Sequence, residues 1–84
     1  MGASTPVELW ADQSGDMQAR ALWLPDTKEF EVVVSQGERL LRERFRPLYV
    51  PRFGIDAADL MRIHEIAEAL AQRLERGEGD PVTS

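Results

Sequence analysis

The sequence predicts an α+β fold: an antiparallel β-meander of three to four strands, followed by one long C-terminal helix packed on one face of the sheet. Three observations carry this expectation. Four short segments between Val7 and Arg46 show period-two character, the breaks between them have turn chemistry, and apolar residues from Leu60 to Leu74 recur at helical spacing.

Val7 to Asp12 and Asp16 to Leu24 are separated by Gln13-Ser14-Gly15, a three-residue hairpin loop with its glycine last. This register sets Val7 opposite Ala21, Leu9 opposite Ala19, and Glu8 opposite Arg20. The next break, Pro25-Asp26-Thr27-Lys28, pairs Trp23 with Phe30, Ala21 with Val32 and Ala19 with Val34. A two-residue turn at Gln36-Gly37 then sets Val33 against Leu40, Glu31 against Arg42 and Glu29 against Arg44. Residues 38–46 are rich in Glu, Arg and Leu, so a helix competes there on propensity. The complementary cross-strand charges favour a strand. Pro47 and Pro51 impose an extended connection.

The helix has its own punctuation. Asp56 is a good N-cap, Asp59 lies near the positive end of the dipole, and Ile55 with Leu60 suits a hydrophobic staple. Leu60, Ile63, Ile66, Ala67, Leu70, Ala71 and Leu74 form the apolar stripe, and Gly77 ends the helix. The ordered core is expected over about residues 6–77 of a single domain, with 1–5 and 78–84 as flexible tails.

Alternation assigns Val7, Leu9, Ala11, Met17, Ala19, Ala21, Trp23, Phe30, Val32, Val34, Leu41 and Phe45 to the face under the helix, with Glu43 discordant and expected at a frayed edge. The opposite face carries Trp10, Leu22, Leu24, Val33 and Leu40, ringed by Glu8, Arg20, Glu29, Glu31, Arg42, Arg44 and Arg46. An apolar centre with a charged rim has the anatomy of an interaction patch. Either a partner covers this face or the segment 47–55, with Tyr49 and Phe53, folds across it. The expected function is therefore a noncatalytic protein-interaction or regulatory module, working on another protein or on itself as a homodimer.

Composition narrows the alternatives. With 84 residues, 43% hydrophobic and 30% charged, the chain is a small globular domain rather than a disordered one. It has no cysteine, which excludes disulfides, thiolate metal sites and a cysteine nucleophile, and fits a cytoplasmic setting. Met1 to Pro6 does not resemble a signal peptide, Pro6 stands where a myristoylation signal needs Ser or Thr, and no apolar run approaches the ~18 residues of a membrane span. No metal site or cofactor is expected. Asp12, Ser14 and Asp16 have calcium-loop-like spacing, but Met17 replaces the required glycine and Trp23 the closing Glu.

The net charge of −5 argues against nucleic-acid binding. Its distribution is uneven: Arg39 to Arg52 holds five arginines and Glu43, a local +4 that leaves −9 on the remainder. Arg42 and Arg44 face glutamates in the register above. Arg39, Arg46 and Arg52 are then the candidates for anion or nucleic-acid contact, the alternative function. The Pro51-Arg52-Phe53-Gly54-Ile55-Asp56 run is a structural lead-in to the helix. His64 is the only histidine and lies one turn before Glu68 at the edge of the stripe. With no nucleophile placed beside it by any motif, it reads as a boundary residue and not a catalytic base.

Overall fold

In a computed structural model, which describes residues 5–47 and 55–81, the chain forms β1 (Val7–Ser14), β2 (Met17–Leu24), β3 (Glu29–Gln36), β4 (Arg39–Phe45), α1 (Ala57–Glu75) and β5 (Asp80–Pro81). The strands make one antiparallel sheet in the order β1-β2-β3-β4-β5, with α1 packed on one face. This is the expected α+β meander with its C-terminal helix, and residues 39–45 are strand. The expectations for Arg52, Tyr49, Phe53 and Gly54 lie outside the described residues.

The core explains why the helix sits where it does. Phe30, Val32 and Val34 alternate along β3 and are fully buried, and Phe45 of β4 is nearly so. On α1, Ile63, Ile66, Ala67, Leu70 and Leu74 are buried against them. Trp23 and Phe45 flank Phe30 at centroid distances of 5.0 and 5.3 Å. Arg62 lays its guanidinium over the Phe45 ring at 4.9 Å, closing the core where β4 meets the helix. Helix α1 lies chiefly over β3 and β4 and only touches β2.

The middle hairpin has the expected register, Trp23–Phe30, Ala21–Val32 and Ala19–Val34. The two glycine hairpins differ from expectation for one shared reason. Each turn places its glycine first: Gly15-Asp16 joins Ser14 to Met17, and Gly37-Glu38 joins Gln36 to Arg39. Gly15 and Gly37 have φ of 62° and 61°, while their followers have negative φ, as a type II′ turn requires.

At β3–β4 the correction moves every pairing by two residues, which preserves the faces. Val33 faces Arg42 and not Leu40, Glu31 faces Arg44 and not Arg42, and Glu29 instead faces Leu24 of β2. At β1–β2 the correction is odd, which turns residues 10–14 over. Trp10 pairs with Ala21 and lies on the helix side, whereas Ala11, opposite Arg20, turns to the other. A bulge between Glu8 and Trp10 restores the parity, so Val7 opposite Trp23 returns to the helix side. Leu9 and Trp10 both pack against the core. Glu43 faces Val32 from beneath the helix and is exposed, on the part of β4 that β5 leaves unpaired.

The helix begins as expected, with the Asp56 carboxylate accepting from the Ala57 N–H at 3.0 Å. Asp59 is less favourably placed than its position suggested. Partial burial and the nearby Asp56 push its carboxyl up, against the pull of Arg62. The helix ends in a Schellman turn: Glu78 N–H donates to the Arg73 carbonyl and Gly77 N–H to that of Leu74, with Gly77 at φ 91°.

Beyond this turn the chain departs from the expected frayed tail. Asp80 and Pro81 pair with Leu40 and Arg39, adding a short fifth strand. Glu78 is held by Arg73 and Arg76, with N···O distances of 3.0 and 3.2 Å, and these partners lower its pKa from the ordinary 4.5. Gly79, at φ 123°, passes so close to the core that a Cβ would lie 2.7 Å from Leu74 Cδ2 and 3.3 Å from Arg39 Cβ.

Two outcomes follow from this exit. Gly79→Ala should lower stability by about 1–3 kcal/mol in urea denaturation, from overpacking and positive φ together. Gly15→Ala, also at a positive φ but in open space, should cost less. Glu78→Gln should lower the melting temperature at pH 7. Because the folded-state pKa is depressed, the wild-type advantage should shrink as pH falls below the ordinary carboxylate value and vanish once Glu78 is protonated.

Candidate functional site

The sheet face turned away from α1 is built by alternation alone. Leu22 and Leu24 of β2, Val33 of β3 and Leu40 of β4 point to it and are half-buried. Among the described elements, none packs over these four. Trp10, expected with them, is on the helix side.

Charge is ordered across this face. One row runs Glu8, Leu22, Glu31, Arg44 across the four strands, and the next runs Ala11, Arg20, Val33, Arg42. Glu29 extends the acidic side beyond the first row. Within β1 to β4 this face therefore carries three carboxylates and three guanidiniums, Arg46 lying just past the end of β4; Arg44 stands among the acids, and Arg20 and Arg42 lie on the other side of the apolar centre. Glu31 is only 6% exposed, and Arg44 Nε donates to its Oε2 at 2.9 Å. The Arg20–Glu8 pair is diagonal, 3.8 Å long and half-exposed, and contributes little.

The structure does not bring the anion-contact candidates together. Arg39 opens β4 and Arg46 follows its last residue, roughly 23 Å away at a strand rise of ~3.3 Å per residue. Arg39 donates from its two Nη atoms to the Glu78 and Leu74 carbonyls, both at 3.4 Å, where a cation suits the helix C-terminus. Arg46 Nη2 reaches the Thr27 carbonyl at 3.5 Å. Arg52 is outside the described residues.

The site that sequence reasoning missed lies on the other side of the sheet. Because α1 covers mainly β3 and β4, a groove of about 370 Å³ remains between the helix and β1–β2. Met17, Ala19 and Val34 form its floor, Ala67 and Ala71 its wall, and Asp12, Ser14 and Glu68 its rim. At one end the Trp10 indole lies against the His64 imidazole, with centroids 5.0 Å apart and planes inclined by 47°. His64 is exposed, so its visible role is to close the groove against Trp10. The available signal was the glycine in Ser14-Gly15-Asp16: placed first in a II′ turn, it puts Trp10, Asp12 and Ser14 together on the helix side.

The Glu31–Arg44 contact can be weighed directly. Arg44→Met should cost about 1.5–3 kcal/mol, because it strands a buried carboxylate whose partner is only half-exposed. Adding Glu31→Leu should recover at least half of that loss in a denaturation double-mutant cycle.

No helix among the described residues is long and apolar enough to cross a membrane. No protein-family model, curated protein or solved structure matches this chain.

Proposed function

We propose that this protein is a noncatalytic interaction module that associates with a second copy of itself through the sheet face opposite α1. The observation that carries this reading is the charge order of that face. The face presents carboxylates and guanidiniums around one uncovered apolar centre, so a second copy of the same face offers groups of opposite sign to both. Each apolar centre then meets its own counterpart. The six charges of the face balance, so two copies of a net-negative chain meet there without mutual repulsion.

Size sets the expected strength. A face four strands wide and about seven residues long measures roughly 19 by 23 Å, so two copies cover on the order of 900 Å². That is the low end for specific interfaces, and the dimer is accordingly weak and concentration-dependent. The cysteine-free composition suits a cytoplasmic setting for such an equilibrium. The anion-binding alternative gains no support from Arg39 and Arg46, which are far apart and turned to carbonyls.

Light scattering over a concentration series should give a mass rising toward twice that of the chain, and less steeply at high salt. Leu22→Glu or Val33→Glu should hold the protein monomeric at every concentration while its circular dichroism stays native. A wild-type protein that remains monomeric at the highest concentrations would sink the self-association reading.

A further inference from the structure

The groove beside α1 has a width set by elementary geometry. Strands lie about 4.8 Å apart, so the four principal strands span roughly 15–19 Å, whereas a helix with its side chains is about 10–12 Å across. One helix covers two strands, and α1 has taken β3 and β4. The uncovered strip over β1 and β2 is as wide as one more helix. From Trp10 to Ser14 it runs about 13 Å, the length of roughly nine helical residues.

Its surfaces state the chemistry of an occupant. The floor is apolar, and Ala67 and Ala71, one turn apart on α1, let a second helix approach the wall closely. The charged groups on the rim are both carboxylates, Asp12 on the β1 side and Glu68 on the α1 side. We propose that this groove seats a basic amphipathic helix from a partner protein, its apolar stripe on Met17 and Ala19 and its Lys or Arg side chains against Asp12 and Glu68. Helix α1 of a second copy does not fit, because its apolar stripe is already buried on its own sheet. A small apolar ligand fits less well, because such ligands are mostly enclosed, whereas Asp12, Ser14, His64 and Glu68 leave the groove exposed along its rim. This surface is separate from the self-association face, and the two readings stand or fall independently.

The test uses a synthetic Leu/Lys peptide of about 14 residues, with Leu at i, i+3, i+4 and i+7, and a counterpart with Glu for every Lys. Titrated into the labelled full chain, the Lys peptide should give saturable NMR shifts confined to Trp10, Asp12, Met17, Ala19 and the Ala67–Ala71 turn. The Glu peptide should bind at least tenfold more weakly. Asp12→Lys with Glu68→Lys, both on exposed side chains, should reverse that preference, and Ala71→Arg should abolish binding. Leu22→Glu should leave it intact. Absence of shifts at these positions, equal affinity for the two peptides, or binding that survives Ala71→Arg would overturn the proposal. So would a small apolar probe such as toluene saturating the groove that the Lys peptide leaves empty.

Discussion

A single helix is narrower than four strands, and that mismatch organises the whole molecule. Helix α1 can bury its stripe of Ile63, Ile66, Leu70 and Leu74 against only part of the sheet. It settles where the cross-strand apolar density is greatest. On β3, the successive inward residues Phe30, Val32 and Val34 leave no exposed surface, and Phe45 adds a second ring from β4. Each full burial of such a side chain contributes about 1.5–3 kcal/mol, so a shift toward the small Ala19 and Ala21 of β2 would forfeit several of them. The choice leaves one strip under-covered beside the helix and the opposite face without a helix.

The same placement protects the sheet at its ends. Anchored over β3 and β4, α1 delivers its C-terminus beside Arg39, which caps the Leu74 and Glu78 carbonyls while its backbone pairs with β5. The Schellman turn at Gly77 and the close passage of Gly79 are the steps by which the chain reverses within a few residues. On the rest of this edge the exposed Glu43 is an inward-facing charge that disfavours strand addition. At the other edge, β1 carries the bulge at Leu9. Residues that look discordant under a pure alternation pattern thus guard the edges of a small sheet.

Parity explains which parts of this architecture were legible in the sequence. The β2–β3 register could be read because four turn residues, Pro25 to Lys28, lie between unambiguous alternating runs. Glycine marked both other turns but not its own place within them. At Gly37 the resulting error was two residues, which alters partners but spares the faces, and Leu22, Leu24, Val33 and Leu40 stayed together. At Gly15 it was odd, and Trp10 changed sides, taking Asp12 and Ser14 with it. The bulge then hid the error at Val7 by reversing it. Strand β5 was illegible for another reason: Asp and Pro have low strand propensity, and only the packing of Leu74 and Arg39 around Gly79 brings them to β4.

Charge distinguishes the two proposed surfaces. The chain carries −5, a poor basis for self-association unless the contact patch is neutral. The open face meets that condition, with Glu8, Glu29 and Glu31 set against Arg20, Arg42 and Arg44. The acidic excess must then reside elsewhere, and the groove rim, with Asp12 and Glu68 as its charged groups, bears part of it. A field of that sign draws basic segments from solution and repels a second copy of this acidic chain. A near-neutral face and an acidic groove on opposite sides of one sheet thus suit the two proposed partners differently, because the charges that permit one contact oppose the other.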